Sequence, residues 1–260
     1  MCTTCGCGPA EPHGHDHDHG HSGHHHDHHH GDGHDHLHHG EGKRTVIAIE
    51  EDILAKNNRL ASFNRALFKD KGIFVLNLVS SPGSGKTTLL ERTLRDLSAR
   101  FRFAVIEGDQ QTDNDARRIA ATGVPVRQIN TGAGCHLDAH MIMHGSEGFD
   151  LDHLDVMLVE NVGNLVCPAA FDLGEHHKVV VLSVTEGEDK PLKYPQMFHN
   201  STVMLLNKTD LLPHLDFDVD KCKEYAARVS HGITIFEVSA RTGEGMDQWY
   251  QWLATETGKP

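Results

Sequence analysis

The sequence predicts an α/β fold: a doubly wound, mostly parallel sheet of about seven strands, preceded by a disordered N-terminal tail. Two observations support this. From about residue 46 onward, short apolar, β-branched runs alternate with amphipathic segments, whereas residues 13–39 consist mostly of His, Gly and Asp. Strands that are apolar along their whole length are buried on both faces, and repeated strand-helix alternation places helices on both sides of a parallel sheet.

The tail is predicted to cover residues 1–45 and the α/β domain residues 46–260. Most of the 24 histidines lie between His13 and His39, where Leu37 is the single large apolar side chain. Such a segment cannot bury enough apolar area to offset the entropy of ordering it, so we expect disorder. The formal charge of −13 counts histidine as neutral, and the tract gains positive charge as pH falls toward about 6.

Composition also excludes several classes of protein. No basic stripe with interleaved aromatic residues occurs, which argues against nucleic-acid binding. No apolar run reaches the roughly 18 residues of a membrane span, and the N-terminus lacks the charged and apolar regions of a signal peptide. We therefore expect a cytoplasmic protein. In that compartment its six cysteines are expected to be thiols and metal ligands rather than disulfides.

The elements of the domain follow in order. The apolar spacing in residues 50–72 predicts a helix, and Gly72 is expected to end it. Strands are predicted at residues 73–80, 101–108, 124–130, 155–162, 178–185, 201–208 and 234–239. An amphipathic helix is predicted directly after the glycine turn at residues 81–85. Further amphipathic helices are predicted at residues 113–123, 135–145, 219–229 and 243–256. Boundaries drawn from sequence patterns carry an error of a few residues.

The segment SSPGSGKTT, residues 80–88, has the pattern of a phosphate-binding loop. In such a loop the backbone N–H groups of a glycine turn and a helix N-terminus surround phosphates, a lysine reaches the outer phosphates, and the next hydroxyl binds Mg²⁺. Ser80 stands where the general pattern has glycine, but the position between a buried strand and an amphipathic helix favours the loop over a chance turn. The predicted nucleotide-binding residues here are Gly83, Ser84, Gly85, Lys86, Thr87 and Thr88.

The segment LLNKTD predicts which base is bound. Asn207, Lys208 and Asp210 form an N-K-x-D signature at the end of a buried strand. A carboxylate there can accept both the N1–H and the exocyclic amine of guanine, whereas adenine has no such donor pair. Ser239 and Ala240 follow a later strand and suit the backbone contact to the guanine carbonyl. A nucleotide kinase is a weaker alternative, because Asn207 and Asp210 of the N-K-x-D signature would have no function in such an enzyme.

Two acidic residues end neighbouring strands of the predicted sheet. Asp109 is placed to reach Mg²⁺ or to orient a water, and Glu160 precedes Gly163 where most GTPases have D-x-x-G. No clear equivalent of the water-aligning glutamine is present, although Gln110 and Gln111 are near, so slow intrinsic hydrolysis is expected. The predicted catalytic residues are Lys86, Asp109 and Glu160, and the predicted magnesium ligands are Thr87, Asp109 and Glu160.

Thiol and imidazole groups form a candidate metal site within the domain. Cys135 and His136 are adjacent after a glycine turn, and Cys167 follows Glu160 by a short loop. Three soft ligands are one short of a closed zinc site, which suits an open site or one that a dimer completes. The alternative is that both cysteines are buried apolar residues. If they do bind metal, a movement of Glu160 at the phosphate could reach the site through Cys167.

Two further histidines and one further thiol lie in predicted helices. His140 and His144 continue His136 at i+4 and i+8, which predicts three imidazoles along one helix face. Histidines at that spacing can chelate a metal, although a polar helix face is the commoner explanation. Cys222 lies in an amphipathic helix and is predicted to be a core thiol.

The N-terminus carries a third set of ligands. Cys2, Cys5 and Cys7 form C-x-x-C-x-C. Three clustered thiolates, with the α-amino group or a backbone amide as a candidate fourth ligand, suit a tight Ni²⁺ site. The histidine tract of residues 13–39 would add many weaker, interchangeable sites that raise the local nickel concentration.

Together these motifs resemble the HypB family, the hydrogenase nickel-incorporation GTPases within the SIMIBI class of metallochaperone P-loop GTPases. The resemblance rests on CTTCGCG, the histidine tract, SSPGSGKTTLL, EGDQQTDNDA, GAGCHLDAHM, LVENVGNLVCPA and NKTDLL. Ser80 is usual in that family. The resemblance implies GTP hydrolysis coupled to nickel delivery to the large-subunit precursor of NiFe hydrogenase, a GTP-dependent homodimer and a HypA-type nickel chaperone as partner. Its implied cofactors are GTP or GDP, Mg²⁺, Ni²⁺ and Zn²⁺.

By the same resemblance, Cys2, Cys5 and Cys7 match a high-affinity nickel site. Cys135, His136 and Cys167 match a nickel or zinc site of the GTPase domain. The nearest alternative is a urease-type nickel accessory GTPase, in which the ligands are expected together as Cys-Pro-His, whereas here Cys135-His136 and Cys167-Pro168 are separate. A further alternative is a nickel-storage protein with a vestigial GTPase domain.

Overall fold

A computed structural model describes residues 39–110, 112–132 and 134–258, and for residues 39–48 it describes the backbone alone. The chain separates into two units, residues 1–51 and 52–260, and the fold below is that of the second. The predicted ligands Cys2, Cys5 and Cys7, residues 1–38 of the predicted tail and Gln111 lie outside the described residues. The predicted division at residue 45 therefore stays a prediction.

Seven parallel strands form one sheet, as the sequence predicts. They are β1 (Phe74–Ser80), β2 (Phe103–Asp109), β3 (Val126–Asn130), β4 (Val156–Gly163), β5 (His177–Ser183), β6 (Val203–Asn207) and β7 (Thr234–Glu237). Their order across the sheet is β3-β2-β4-β1-β5-β6-β7, and every neighbouring pair is parallel. The predicted doubly wound α/β fold is confirmed, and each predicted strand is present within a few residues of its expected bounds.

Eight α-helices are present among the described residues. They are α1 (His39–Lys71), α2 (Lys86–Leu97), α3 (Asn114–Ala120), α4 (Ala139–Ser146), α5 (Lys190–Lys193), α6 (Pro195–His199), α7 (Val219–Val229) and α8 (Met246–Glu256). Helix α1 begins before the predicted start at residue 50 and ends at Lys71, and the following Gly72 has a left-handed φ of 64°. Helices α5 and α6 were not predicted, and each has a proline in its first turn, where the missing N–H is tolerated.

The prediction that His136 shares a helix face with His140 and His144 is wrong. Helix α4 begins at Ala139 because the Asp138 side chain caps it, accepting a hydrogen bond from the Met141 amide at 2.8 Å. Residues before an N-cap leave the helical conformation, so His136 lies in the loop that precedes the helix.

The strand side chains alternate between two cores, as the pleat of a sheet requires. Leu76 and Leu78 of β1 join the face covered by α2 and α8, where Trp249 is buried. Val75 and Val79 point to the other face, which is covered by α1 and α4 on one side and by α7 on the other. Each core strand is thus buried on both faces, and polar groups gather beyond its carboxyl end. In the part of the chain that the structure describes, no helix combines the length and the apolar character of a membrane span.

Candidate functional site

The phosphate loop connects β1 to α2 at the centre of the sheet. Gly83 and Gly85 have left-handed φ values of 76° and 96°, which glycine adopts without steric cost. A Cβ on Gly85 would lie 2.7 Å from Asn207 Nδ2, so the loop is packed directly against the N-K-x-D segment. The Lys86 ammonium donates to Ser80 Oγ at 2.8 Å. Ser80, the residue that departs from the general pattern, therefore positions the lysine.

Gly163 ends β4 opposite Ser80 of β1. A Cβ at this position would lie 3.1 Å from the Pro82 Cα atom, which is tighter than an ordinary contact. Glycine is therefore needed here because the strand end passes close to the backbone of the phosphate loop.

Two buried carboxylates face the phosphate loop from neighbouring strands. Thr87 Oγ1 donates to Glu160 Oε1 at 2.7 Å, and Glu107 of β2 lies opposite Glu160 in the strand register. Burial raises the pKa of Glu160 to about 7, partly opposed by the Lys86 charge. Burial, followed by the charge of Glu160, raises the pKa of Glu107 to about 8. Glu107 was not predicted as a site residue. Neither a hydrophobic periodicity nor a known motif distinguishes it within the E-G-D sequence at the end of β2.

This carboxylate pair fits Mg²⁺. Among the described residues, no hydrogen-bond partner reaches the buried Oε2 atoms of Glu107 and Glu160. Buried polar atoms are normally satisfied, and Mg²⁺ takes hard oxygen ligands from one or two carboxylates together with phosphates and waters. The structure thus brings Thr87 and Glu160 together with Glu107 beside them, and their role as magnesium ligands stays a prediction.

The carboxylate of Asp109, the third predicted magnesium ligand, holds the loop that follows β2. It accepts from the Gln110 amide at 2.5 Å and from the amide and hydroxyl of Thr112 at 3.2 and 2.6 Å. Its place at the end of β2 is as predicted, while its role toward Mg²⁺ stays a prediction. Arg118 of α3, which was not predicted, donates to Thr88 Oγ1 at 3.0 Å and to Glu91 at 2.6 Å, and so links α3 to the phosphate-loop helix.

The predicted guanine-binding residues come together at the ends of β6 and β7. Asn207 Nδ2 donates to the Ser84 carbonyl at 3.0 Å, and Asn207 Oδ1 accepts from the Ala240 amide at 3.1 Å. Ser239 Oγ donates to Asp210 Oδ1 at 2.6 Å. Asn207 thus joins the phosphate loop to the loop that carries Ser239 and Ala240.

Lys208 extends this contact between the two loops. It has a left-handed backbone with φ of 64°, which is uncommon for a residue other than glycine. Its ammonium donates to the Gly83 carbonyl at 2.7 Å. The N-K-x-D segment is therefore fastened to the phosphate loop through two consecutive side chains.

Cys135, His136 and Cys167 form a second centre. Their ligand atoms all lie within 4.8 Å of one another, and Cys135 Sγ is 3.7 Å from His136 Nδ1. Burial lowers the pKa of His136, with the Lys178 charge acting in the same direction and Asp138 opposing it. The imidazole packs on Phe171 with ring centroids 4.0 Å apart. A neutral imidazole beside two thiols matches the donor set of nickel and zinc sites.

Strand β4 connects the two centres through consecutive residues. Glu160 contacts the phosphate loop through Thr87, whereas Asn161 Oδ1 accepts from the Leu137 amide at 3.1 Å, next to His136. Further along the same segment, Asn164 Oδ1 accepts from the Cys167 amide at 3.3 Å. Neither Asn161, which lies within β4, nor Asn164 was predicted as functional, because asparagine is not among the soft metal ligands that the sequence pattern identifies.

Buried polar side chains hold the metal-site loops in place. The Lys178 ammonium donates to the carbonyls of Pro168, Ala169 and Phe171, each at 3.0 Å. From α1, Asn57 accepts from the Ala139 amide at 2.9 Å, and Asn64 donates to the Ala139 carbonyl at 2.8 Å. These contacts fix the start of α4 and the loop after Cys167, the two segments that adjoin the candidate ligands.

Comparison with known proteins gives the family. Residues 74–237 match the model of the CobW/HypB/UreG nucleotide-binding domain. The hydrogenase maturation factor HypB of Azotobacter vinelandii is 64% identical over 213 residues, covering 82% of this chain and 70% of that protein. The HypB protein of Escherichia coli K12 is 61% identical over 214 residues, covering 82% of this chain and 74% of that protein.

Two solved structures are similar as well. A crystal structure of HypB from Helicobacter pylori in complex with nickel has a TM-score of 0.74 and 39% identity, covering 78% of this chain and 95% of that one. HypB from Archaeoglobus fulgidus has a TM-score of 0.73 and 38% identity, covering 78% and 99%. The chain therefore belongs to the HypB branch of the CobW/HypB/UreG family of nucleotide-binding proteins.

Proposed function

We propose that this chain hydrolyses GTP and uses the nucleotide cycle to deliver nickel to the large-subunit precursor of NiFe hydrogenase. The observation that carries the proposal is the pair of consecutive residues on β4. Glu160 is bonded to Thr87 of the phosphate loop, and Asn161 is bonded to the amide that follows His136. A displacement of β4 at the nucleotide would therefore move a backbone segment that positions a metal ligand.

Each polar group of the candidate nucleotide site has a role in the proposed GTP hydrolysis. The N–H groups of the phosphate loop and the Lys86 ammonium would bind the phosphates, and Asp210 would accept from the guanine edge. Thr87, Glu160 and Glu107 would hold Mg²⁺, which neutralises phosphate charge when bound. Asp109, as the sequence predicts, would orient the attacking water. Intrinsic turnover is expected to be slow, because the sequence has no clear equivalent of the water-aligning glutamine, and a partner or a second subunit would supply charge.

The metal part of the proposal concerns nickel as cargo. Cys135, His136 and Cys167 offer three soft ligands, which leaves a position open for transfer or for a ligand from a GTP-dependent homodimer. The same donor set also suits Zn²⁺. The N-terminal thiols Cys2, Cys5 and Cys7 would supply nickel, a HypA-type chaperone would be the exchange partner, and the cytoplasm would be the compartment.

The central experiment measures Ni²⁺ affinity of the chain with GDP and with a non-hydrolysable GTP analogue. Cys2, Cys5 and Cys7 are replaced by serine so that thiolate-to-nickel absorption reports Cys135 and Cys167. We expect the affinity to differ between nucleotides. Asn161→Ala should abolish the difference, because it removes the acceptor for the Leu137 amide. Equal affinities in both nucleotide states would contradict the coupling.

Two other functions remain as alternatives with distinct outcomes. A storage protein would support hydrogenase activity when Lys86→Ala removes nucleotide hydrolysis but leaves nickel binding normal. A urease-type accessory protein would leave hydrogenase unaffected and urease inactive when the gene is deleted. If the chain delivers nickel, we expect hydrogenase activity to be lost both in the deletion strain and in the Lys86→Ala strain. Added nickel should then restore activity in the deletion strain.

A further inference from the structure

We propose that the buried carboxyl group of Glu175 positions the cysteine-histidine metal site through two buried asparagines. Asn77 connects Glu175 to Asn161, and Asn161 in turn holds the backbone amide of Leu137, the residue that follows His136. Glu175 is thus a positioning residue, which acts on a ligand loop through other side chains. This role rests on the metal binding proposed above and does not require the nucleotide coupling.

The two asparagines occupy positions in the sheet where apolar side chains form the core. Asn77 lies on β1 between Val75 and Val79, which point to the same face, and it is fully buried. Asn161 of β4 is 1% exposed. Burying a polar side chain in such a place costs free energy unless its hydrogen bonds are made. The two carboxamides bond to each other, since Asn161 Nδ2 donates to Asn77 Oδ1 at 3.3 Å, so the orientation of one determines that of the other.

Backbone groups fix which way the Asn161 carboxamide points. The amides of Leu137 and Val162 both donate to Asn161 Oδ1, at 3.1 and 3.0 Å. A backbone N–H can only donate, so the carboxamide oxygen must face these two amides and its NH₂ group must face Asn77. Asn77 must then offer its oxygen to Asn161 and its own NH₂ group to the opposite side.

This chain of hydrogen bonds needs an acceptor at its far end, and Glu175 supplies it. Asn77 Nδ2 donates to Glu175 Oε1 at 3.1 Å. Glu175 is 8% exposed, and its Oε1 accepts whether or not the other carboxyl oxygen carries a proton. Without this acceptor the buried NH₂ group of Asn77 has no partner, and the carboxamide that orients Asn161 is no longer held.

Helix α1 holds the segment that carries Glu175. Arg65 donates to both carboxylate oxygens of Asp172 at 2.7 and 2.9 Å, and Asn64 Nδ2 donates to the Leu173 carbonyl at 3.0 Å. The Leu173 amide donates to Glu175 Oε2 at 2.6 Å. The acceptor at the end of the chain of hydrogen bonds is therefore fixed in position relative to α1.

The test is hydrogen exchange of the Leu137 amide in the full-length chain without metal or nucleotide, measured by NMR. Glu175→Met keeps the length of the side chain but removes the acceptor, and we expect it to speed exchange of this amide by about tenfold or more. The Ser183 amide is the internal control, because the side chain of Glu186 accepts its hydrogen bond at 3.0 Å. Its exchange should change less than about twofold, whereas a general loss of stability would speed both amides.

A double variant distinguishes an acceptor from a side chain that only fills space. Glu175→Gln combined with Asn77→Asp moves the carboxylate to position 77, where it can accept from Asn161 and from the amide introduced at position 175. We expect exchange of the Leu137 amide within about threefold of that in the unmodified chain. If Glu175 only filled space, the single apolar replacement would be the milder change.

Nickel affinity connects these hydrogen bonds to the metal site. It is measured with the three N-terminal cysteines replaced by serine, and Glu175→Met should lower it by about tenfold, as loss of support around metal ligands does. In an Asn161→Ala background, Glu175→Met should lower the affinity no further, because the acceptor for the Leu137 amide is already absent.

The assigned role of Glu175 is overturned if Glu175→Met leaves exchange of the Leu137 amide unchanged, or if the nickel losses of Glu175→Met and Asn161→Ala add. It is also overturned if the double variant exchanges as fast as Glu175→Met while its Ser183 amide stays protected. A chain that binds no nickel at Cys135 and Cys167 contradicts the proposed function instead, and exchange of the Leu137 amide then decides the role of Glu175 alone.

Discussion

Asp210 is a carboxylate whose surroundings suit it to guanine recognition. One oxygen accepts from Ser239 Oγ at 2.6 Å, and the neighbouring Asn207 fastens the same loop to the phosphate loop. The side chain is thus held in place before any base binds. Preorganisation of this kind makes the loss of a matched donor pair costly, because the partly buried carboxylate is left without its partners.

We expect Asp210→Asn to weaken GDP binding by about 100-fold or more and to favour XDP, since the amide can donate to the additional carbonyl of xanthine. Competition binding with a fluorescent nucleotide measures both affinities. Asp216→Asn, at an exposed position, is the matched control and should bind GDP normally. Unchanged GDP affinity in Asp210→Asn would exclude its assigned role.

Cys222 and Cys135 show that thiols in one domain can have opposite environments. Cys222 is fully buried in the core beneath α7, as predicted, and burial raises its thiol pKa to about 12. Cys135 is partly exposed beside His136. The first is therefore a core residue, and the second is accessible to reagents and metals.

In the metal-free chain at pH 8, we expect iodoacetamide to alkylate Cys135 at least about 100-fold faster than Cys222, because the thiolate is the reactive form. Peptide mass spectrometry measures the two rates. Alkylation of Cys222 should require denaturant, and its labelling in the native chain at a rate near that of Cys135 would show that the α7 core is open.

At the scale of elements, the turn between β7 and α8 depends on one glycine. Gly245 has φ of 72°, and a Cβ there would lie 1.9 Å from the Glu237 carbonyl oxygen. The adjacent Glu244 carbonyl accepts from the Ser239 amide at 2.9 Å. The turn thus supports both the C-terminal helix and the loop of the guanine site.

Gly245→Ala should lower the free energy of unfolding by several kcal/mol, since it adds a backbone clash to the cost of a left-handed alanine, which is about 1–2 kcal/mol. Gly123→Ala is the matched control, because Gly123 has φ of 84° but no atom within 4 Å of an added Cβ. Urea unfolding measures both. Equal losses in the two variants would mean that the turn relaxes around the clash.

Helices α1 and α4 show where local patterns fail. The buried stripe of α1 includes Asn57 and Asn64, which an apolar pattern omits, and these asparagines satisfy backbone groups at the start of α4. The predicted helix at 135–145 started too early because Asp138 was not recognised as a cap. In both cases a hydrogen bond determines which residues are buried or where the helix begins, and hydrophobic periodicity does not detect such a bond.

At the scale of the whole molecule, the buried carboxylates make the nucleotide-free fold sensitive to pH. Glu107 keeps its proton in the folded chain up to a pKa of about 8, whereas an unfolded glutamate ionises near its ordinary value of about 4.3. Between these pH values the unfolded chain binds fewer protons, so the contribution of Glu107 to stability is present at low pH and is lost as pH rises toward 8.

The prediction is that the unfolding free energy of the metal- and nucleotide-free chain, taken relative to Glu107→Gln, falls as pH rises from about 4.5 to about 8. The difference in unfolding free energy between the two proteins removes the contribution of every titrating group that both of them contain. Urea unfolding in EDTA across this range measures it, and Glu244→Gln, at an exposed position, should show no such trend. A flat difference for Glu107→Gln would contradict the raised pKa.

The sequence by itself determined the fold class, the seven strands, and the phosphate and guanine motifs, because each depends on a local spacing of residue types. It also named Cys135, His136 and Cys167 as candidate metal ligands. Only the tertiary structure decided that Glu107 faces Glu160, that Cys167 meets Cys135 and His136, and that Asn161 joins the two centres. These depend on strand β4 entering the sheet between β1 and β2 in a particular register. The physical reason is that register follows from the packing of both sheet faces at once, and a pattern read along one strand contains no information about its neighbours.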